Sequence, residues 1–403
     1  DSNIEAFFAY IALARWLGIR LDLLTLLFTA CALYAALLVQ GLGWIAIPEG
    51  LIGLSLAYLV QLGDSFQWCI RQLAEYENQL VSVERMLAYI RLAPEKPLRC
   101  PEADALVPAA WPGRGEVVFK DFNARYGPGL PLVLRQLKCR IPGGTKVALV
   151  GRTGAGKSSV VQCLFRLVEA DDANSKLAID GVDVGGLGLH KLRRALSVIP
   201  QSPWLFAGTA RQNLDPFGQH SDAEIWSALE DVQLSGVFVS LEDPVSEGGG
   251  SLSAGQKQLV CLARAILRRN QILVCDEATA NIDLKTDEII QRTIRSKFKG
   301  RTVIMIAHRL HTIIDVDLVL VLNRGQLVES GHPHQLLNRR QLPLAKNACA
   351  TVTGNGTFDS AHCWFADMVE ETGPETAASL RAAAKRAWEE QRAHGIDWKQ
   401  VEA

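Results

Sequence analysis

The sequence predicts an α/β domain with a largely parallel core sheet, preceded by an all-α helical hairpin. From Glu116 onward, short apolar strands alternate with helical segments, which is the pattern of a parallel sheet covered by helices. Between Arg20 and Arg71 the chain contains no Lys or Arg, although charged residues make up 21% of the whole sequence. A glycine-rich loop at residues 151–159 lies between a strand and a helix. The alternating strands and helices and the glycine-rich loop predict the α/β domain. The segment without Lys or Arg predicts the hairpin.

The hairpin is predicted to cross a membrane. Its two apolar stretches, Leu23–Val39 and Leu51–Leu62, are each slightly shorter than the roughly 20 residues of a spanning helix, but both extend into apolar flanks. Arginines precede the first stretch and follow the second, so the positive-inside rule predicts cytoplasmic ends and residues 40–50 on the opposite side. The alternative is a buried helical hairpin in a soluble protein.

Composition divides the chain into four segments. Residues 1–92 are predicted to be the C-terminal part of a transmembrane domain, with a loop that leads into two helices. Residues 93–115 contain five prolines and predict an extended linker. Residues 116–340 form the α/β domain, and residues 341–403 form a C-terminal extension that is helical from Glu375 to about His394. The predicted strands of the α/β domain are Val117–Phe119, Val147–Val150, Leu196–Ile199, Ile272–Cys275, Val303–Ile306 and Leu318–Leu322.

Charge and cysteine usage limit the class of protein. The net charge of −1 provides no globally basic surface, so we expect no nucleic-acid partner. The nine cysteines include no C-x-x-C pair and no metal-ligand spacing, and we expect free thiols in a reducing compartment. The chain begins at Asp1 in the middle of an element, so we expect it to be the C-terminal part of a longer protein.

The glycine-rich loop matches the phosphate-binding pattern G-x-x-x-x-G-K-[ST], which identifies the α/β domain as a P-loop NTPase. Glycines allow backbone N–H groups to close around phosphate oxygens, and the following helix adds the positive end of its dipole. Lys157 is predicted to reach the β- and γ-phosphates, and the Ser158 hydroxyl to bind Mg²⁺. The loop residues predicted to bind the nucleotide are Gly151, Arg152, Thr153, Gly154, Ala155, Gly156, Lys157, Ser158 and Ser159.

A second nucleotide-binding element follows the apolar strand Ile272–Cys275, whose end carries Asp276 and Glu277. We predict that Asp276 binds Mg²⁺ and that Glu277 polarises the water that attacks the phosphate. The alternative is an exposed acidic turn without a catalytic role.

The pentapeptide Leu252–Gln256 precedes an apolar-periodic helix and predicts a second anion-binding element. The Ser253 hydroxyl and the N–H groups of Gly255 and Gln256 would lie at the helix N-terminus, where an anion is favoured. One phosphate does not need two such elements within one chain, whereas two chains or two halves that face each other would use both.

In combination these motifs closely resemble the ATP-binding cassette (ABC) transporters, over about residues 1–340. The pentapeptide is similar to the signature of that family, and residues 280–283 resemble its D-loop. The resemblance implies that Gln201 contacts Mg²⁺ and the interface with the membrane domain, and that Tyr126 stacks on adenine. It also implies that His308 senses or stabilises the γ-phosphate, which makes it the second catalytic residue beside Glu277.

Within that family the chain looks like the C subfamily, the multidrug-resistance-associated and glutathione-conjugate transporters. Phe7–Tyr10 is similar to the last cytoplasmic coupling loop of these proteins. The implied partners are the first ATP-binding domain and the remaining transmembrane helices of a full transporter, together with the lipid bilayer. Ala254 stands where most signatures have glycine, which implies that this signature completes the weaker of two composite ATP sites. Glu277 would then belong to the stronger site.

The predicted function is ATP-driven export, in which hydrolysis of ATP to ADP and phosphate moves organic anions or conjugates, with ATP and Mg²⁺ as cofactors. The protein is expected in the vacuolar or the plasma membrane, with its ATP-binding domain in the cytoplasm. Three alternatives remain at this point. They are a nucleotide-gated channel or channel regulator of the same family, a soluble cassette ATPase that acts on ribosomes or DNA, and a non-transporting fragment.

Overall fold

The N-terminal unit, Asp1–Glu95, consists of two long helices, α1 (Ser2–Gly41) and α2 (Glu49–Ile90). The computed structural model describes residues 2–43, 48–276, 282–306, 310–338 and 363–393. The two helices approach closely at Gly63, where a Cβ atom would lie 3.3 Å from Cγ2 of Thr25. Both predicted apolar stretches therefore lie in helices that pack as a hairpin.

The helix α1 is the element that fits a bilayer. Among the described residues, one helix is long and apolar enough to cross a membrane, Ile4–Gly41, and none of its most apolar window is buried. The stretch Leu51–Leu62 is helical as predicted, but the described residues of α2 do not form a second helix long and apolar enough to cross a membrane. The second membrane crossing therefore stays a prediction.

Phe7–Tyr10, the residues that resemble a coupling loop, lie inside α1, so this segment is helical rather than a loop. Its coupling role stays a prediction. No glycine or proline occurs between Ser2 and Leu17, and the segment is rich in alanine and other residues that tolerate a helix. The helix therefore begins before the membrane stretch and continues into it without a break.

The C-terminal unit, Lys96–Ala403, contains the α/β domain. Its helices are α3 (Pro101–Leu106), α4 (Lys157–Leu164), α5 (Leu189–Ala195), α6 (Ala210–Leu214), α7 (Asp222–Asp231), α8 (Ala254–Arg268), α9 (Leu284–Lys297), α10 (Pro333–Asn338), α11 (Trp364–Glu370) and α12 (Pro374–Ala393). Its strands are β1 (Val117–Ala124), β2 (Leu134–Ile141), β3 (Lys146–Val150), β4 (Lys176–Ile179), β5 (Val182–Asp183), β6 (Leu196–Ile199), β7 (Gly208–Thr209), β8 (Pro244–Val245), β9 (Ile272–Asp276), β10 (Thr302–Ile306), β11 (Leu318–Asn323) and β12 (Gln326–Gly331).

A six-stranded sheet in the order β12–β11–β3–β10–β9–β6 forms the centre of the domain. All its neighbouring strands are parallel except β11 and β12, which confirms the predicted parallel core sheet. The strand predicted at Val117–Phe119 belongs instead to β1 of a separate antiparallel sheet, β2–β1–β4–β5. Only residues 125–133 join β1 to β2, which is too short for the crossover that a parallel pair requires.

Both faces of the six-stranded sheet are buried. Along β3, Val147 and Leu149 face one apolar cluster that includes α4 and the antiparallel sheet. The alternate residues Ala148 and Val150 face a second cluster that includes α7, α8 and the C-terminal helices. Because side chains alternate across a strand, a strand buried on both faces has the continuous apolar sequence seen in residues 147–150.

The segment predicted as an extended linker is packed on the α/β domain. It contains the short helix α3, and the Asp104 carboxylate accepts hydrogen bonds from the backbone N–H of Gly188 at 3.0 Å and of Cys100 at 3.0 Å. Trp111 donates from Nε1 to the Ile179 carbonyl at 3.0 Å. The prolines that suggested a free linker instead shape a segment whose polar groups are satisfied by the domain.

The C-terminal extension contributes α11 and α12 to the core, and α12 matches the helix predicted from Glu375 to about His394. The Glu329 carboxylate on β12 accepts hydrogen bonds from the N–H groups of Trp364 and Phe365, each at 3.0 Å. Phe365 is fully buried. A charge-assisted cap and an apolar anchor thus attach the extension to the sheet.

A buried histidine attaches α12 to the end of β12. The Nδ1 atom of His332 accepts from the backbone N–H of His334 at 3.1 Å, so its Nε2–H donates to Oε1 of Gln391 at 2.8 Å. Burial lowers the pKa of His332 to about 4. The Trp388 ring covers the His332 imidazole at a centroid distance of 4.7 Å, which shields the neutral imidazole from water.

Acidification should therefore loosen this attachment. Between pH 6.5 and about 4 the unfolded chain binds a proton on His332 that the folded chain does not, so stability falls as the pH falls. We expect the wild type to lose about 2 kcal/mol more than His332→Gln between pH 6.5 and pH 5, measured from unfolding curves at several pH values. Glutamine is the matched replacement because it keeps a donor but cannot titrate. Parallel pH profiles for the two proteins would contradict the assignment.

Candidate functional site

The glycine-rich loop joins β3 to α4 and needs its glycines for steric reasons. Gly151 has φ +153°, and a Cβ atom there would lie 2.3 Å from the Leu322 carbonyl oxygen. Gly156 precedes the first residue of α4 with φ +103°, a conformation that L-residues rarely adopt. The loop can therefore turn tightly against β11 and direct its backbone toward the helix N-terminus.

Lys157 is the most enclosed charged residue of the loop. Only 6% of its surface is exposed, and its Nζ atom donates to the carbonyls of Gly151 at 2.8 Å and Arg152 at 3.3 Å. The N–H of Ala155 also donates to the Arg152 carbonyl, at 3.0 Å. Thr153, Gly154 and Ser158 are exposed, whereas Ser159 is buried. The ammonium group thus lies against the loop backbone, and the exposed loop residues face solvent.

Tyr126 lies beside this loop, as its predicted role requires. Its hydroxyl forms a 2.8 Å hydrogen bond with the Ser159 hydroxyl on the first turn of α4. The side chain remains 54% exposed, so one face of the ring is available to a flat apolar group such as a purine base.

The strand register brings the second element to the same edge of the sheet. Ile306 on β10 is paired with Leu149 of β3 on one side and with Asp276 of β9 on the other. Because adjacent strands lie about 4.8 Å apart, Asp276 is separated by roughly 10 Å from the strand that enters the phosphate loop. The carboxyl ends of parallel strands are where open α/β sheets bind ligands.

Two predicted catalytic residues, Glu277 and His308, lie outside the described residues, as do Ala280 and Asn281 of the predicted D-loop. In the sequence, Glu277 directly follows β9 and His308 comes two residues after the end of β10. Their roles stay predictions.

Gln201 follows β6, whose residue Ile199 pairs with Cys275 of β9. The segment around it is fixed by Gln258, which is 2% exposed and donates from Nε2 to the Pro200 carbonyl at 2.8 Å. Sequence reasoning missed Gln258. The sequence feature that could have revealed it is a polar residue on the apolar face of α8, because Gln258 precedes Leu262 and Ala265 at helical spacing.

The signature residues lie at the start of α8, a different helix from the one that follows the phosphate loop. Ser253 caps α8 by accepting from the Gln256 N–H at 3.2 Å, and the Gln256 side chain accepts from the Ser253 N–H at 2.9 Å. The helix packs on α6, α7, α9 and β6. In the central sheet β6 is three strands from β3, so roughly 14 Å separates these two strands. The Ser253 hydroxyl uses a lone pair in the cap and keeps its O–H free to donate to an anion.

Gly255 has a packing role that its predicted anion contact does not explain. A Cβ atom there would lie 3.0 Å from both Cγ2 and Oγ1 of Thr286. Thr286 in turn donates from Oγ1 to Asp283 at 2.8 Å, at the start of α9. The signature and the segment that follows the D-loop are therefore in direct contact within this chain.

Gly255→Ala should destabilise the domain by about 1–3 kcal/mol, because the added methyl group must displace Thr286 and its hydrogen bond. Combining it with Thr286→Ser, which removes Cγ2 and keeps the hydroxyl, should recover part of that loss. Unfolding free energies of the two single variants and the double variant measure the coupling. Strictly additive losses would show that the contact does not limit residue 255.

The proposed Mg²⁺ ligands form an all-oxygen set. Ser158, Gln201 and Asp276 offer a hydroxyl, an amide and a carboxylate, which are the donors that Mg²⁺ prefers when phosphates and water complete its shell. No group of three or more His, Cys, Asp or Glu side chains suited to a metal occurs in the part of the chain that the structure describes. The donor set fits Mg²⁺ held together with a nucleotide rather than a dedicated protein cage.

The cysteines in the described ranges are free thiols, as predicted: Cys31, Cys69, Cys100, Cys139, Cys163, Cys261, Cys275 and Cys363. Burial raises the pKa of Cys275, next to Asp276, to about 12. This thiol is therefore not a nucleophile near the candidate site.

Comparisons with known proteins agree with these features. The sequence profile of a family described as ABC transporter matches residues 134–280. The chain is 43% identical to ATP-binding cassette sub-family C member 4 from Homo sapiens, over 96% of this chain and 27% of that protein. It is 47% identical to ATP-binding cassette sub-family C member 3 from Rattus norvegicus, over 84% of this chain and 22% of that protein.

A solved structure of a bacterial Atm1-family ABC exporter with ATP bound is also similar. It aligns with a TM-score of 0.58 and 32% sequence identity, over 72% of this chain and 50% of that chain. The chain spans about a quarter of the length of the curated relatives that it matches, with shares of 27% and 22%.

Proposed function

Because this chain belongs to the ATP-binding cassette transporter family, with relatives in its C subfamily, we propose that it supplies an ATP-hydrolysing domain to an exporter. One observation carries the proposal. The phosphate loop follows β3 and Asp276 ends β9, and these two strands run parallel to β10 on either side of it in the central sheet. Phosphoryl transfer requires this arrangement, because its catalysis is mainly positioning and electrostatic stabilisation.

The proposed reaction is attack of water on the γ-phosphorus of ATP, with cleavage of the bond to the β–γ bridging oxygen. Glu277 accepts the proton of the attacking water, and Lys157 stabilises charge on the phosphate oxygens. His308 contacts the γ-phosphate, and Tyr126 stacks on adenine. Ser158, Gln201 and Asp276 would hold Mg²⁺, which neutralises charge between the β- and γ-phosphates when bound.

The presence of two anion-binding helix starts in one chain, at α4 and at α8, supports a composite site. Ser253, Gly255 and Gln256 would contact the nucleotide of a second cassette, which closes head to tail on this one around two MgATP. Ala254 adds a Cβ where the backbone must approach a γ-phosphate. We therefore propose that this chain gives a competent Glu277 to one site and an impaired signature to the other.

The proposed cargo is an organic anion or a conjugate, and the proposed partners are a first ATP-binding domain and further transmembrane helices. The cargo rests on the resemblance to the C subfamily alone, and the partners rest on the chain spanning about a quarter of the length of its relatives. The domain organisation 1–92, 93–115, 116–340 and 341–403 stays a proposal, with the change that residues 96–115 are packed on the ATP-binding domain. The proposed location is the vacuolar or the plasma membrane.

Transport into inside-out vesicles tests the proposal. Vesicles that contain the transporter of which this chain is part should accumulate a glutathione conjugate with ATP and Mg²⁺, and not with a non-hydrolysable ATP analogue. An ATP-dependent single-channel current without accumulation would favour the channel alternative. Release of residues 1–92 into the aqueous phase by carbonate would favour a soluble ATPase.

A further inference from the structure

A cavity of about 230 Å³ lies between the phosphate loop and the C-terminal extension. Gly151 and Arg152 line it from the loop, Leu322 and Asn323 from β11, and Trp364 and Glu371 from α11 and its C-terminal end. The extension therefore forms a wall beside the loop that is proposed to receive the phosphates of ATP.

An ion pair crosses this cavity. The Nη2 atom of Arg152 lies 3.4 Å from Oε1 of Glu371, and the two side chains are 75% and 65% exposed. An exposed pair on flexible elements contributes little to stability, because ordering two long side chains offsets the attraction. The importance of this pair therefore depends on how firmly its two ends are held.

Both ends of the pair are held in place by their backbones. Arg152 belongs to the turn closed by the hydrogen bond from the Ala155 N–H, at 3.0 Å. Glu371 follows directly after α11, whose residues Phe365 and Val369 are fully buried. The Glu329 carboxylate fixes the first turn of that helix by accepting two backbone N–H groups. The backbone that carries Glu371 thus continues directly from a helix that is anchored in the core.

The charges at this wall oppose nucleotide binding. Arg152 and Lys157 are the two cationic side chains of residues 151–159, and a triphosphate is attracted to both. Glu371 binds the guanidinium group of Arg152, and Asp367 adds a second carboxylate to the cavity lining. A polyanion that enters the loop therefore meets a guanidinium group whose charge is already compensated.

We propose that Glu371 is an affinity-determining residue of the nucleotide site, which holds Arg152 and weakens the binding of phosphates. The C-terminal extension then lowers the affinity of the site for nucleotides through its negative charge. The inference rests on the proposed function of the phosphate loop, and it gives the extension a role in the same site.

Binding of ATP, ADP and adenosine to the full chain in detergent tests the inference, by isothermal titration calorimetry with Mg²⁺ present. Glu371→Gln should lower the dissociation constant for ATP by about three- to tenfold at low salt, with a smaller gain for ADP. Adenosine carries no phosphate, so its affinity should not change. The gain should shrink in high salt, because exposed charges are screened.

The matched control is Glu370→Gln, because Glu370 is the neighbouring residue and pairs with Arg381 inside the extension, at 2.9 Å. It should leave ATP affinity unchanged. In an Arg152→Gln background, the effect of Glu371→Gln should be reduced, since the proposed partner is gone. Equal gains from Glu370→Gln and Glu371→Gln, an undiminished gain without Arg152, or no gain at all would each overturn the inference. Failure of the wild-type chain to bind ATP would instead overturn the proposed function.

Discussion

Replacing Lys157 with alanine should reduce the affinity of the chain for ATP by roughly a hundredfold or more and remove its ATPase activity. Lys157 is only 6% exposed and its ammonium group lies within 3.3 Å of two loop carbonyls, so a phosphate that displaces those contacts would meet an already positioned cation. A cation fixed in a partly dehydrated site stabilises phosphate charge far more than a mobile surface lysine does. Calorimetry with ATP and a steady-state phosphate-release assay measure the two effects.

The control for Lys157→Ala is Lys176→Ala, which removes the same charge from an exposed position on β4. It should leave ATP affinity within about a factor of two, because solvent and salt screen an exposed charge that does not touch the phosphates. Thermal unfolding of both variants checks that the loop has not simply collapsed. Normal ATP affinity in a folded Lys157→Ala protein would exclude this loop as the phosphate site.

The phosphate loop could be predicted in detail because its chemistry is local. Glycines at 151 and 156, a lysine at 157 and an apolar strand before them are all required within a dozen residues, and the backbone geometry agrees at each. The parallel sheet was predictable for a similar reason. Its strands are buried on both faces and therefore have continuous apolar runs, as in residues 272–275.

The parts that sequence reasoning could not predict depend on distant contacts. The antiparallel β1 cannot be separated from the parallel strands without knowing that β2 pairs with it. The packing of residues 96–115 depends on Asp104 meeting Gly188 and on Trp111 meeting Ile179, across 68 or more residues. The ion pair between Arg152 and Glu371 spans 219 residues, and neither residue is unusual in its own segment.

Replacing Glu277 with glutamine should abolish turnover and keep ATP binding. Loss of a general base lowers the rate by about 10²- to 10⁴-fold, whereas the uncharged amide keeps the shape of the side chain and removes repulsion toward the γ-phosphate. The measurements are ATP affinity and phosphate release by the full transporter. Glu288→Gln, an exposed change on α9, is the control and should leave both unchanged.

The residual rate of Glu277→Gln also separates two arrangements of the composite sites. If both sites of the transporter hydrolysed ATP equally, loss of one base would leave about half of the activity. Ala254 instead belongs to the signature that is proposed to face the other cassette, and that site is proposed to be impaired already. Loss of nearly all activity is therefore expected from Glu277→Gln alone. A residual near one half would mean that the Cβ of Ala254 is tolerated beside the γ-phosphate and that the two sites are equivalent.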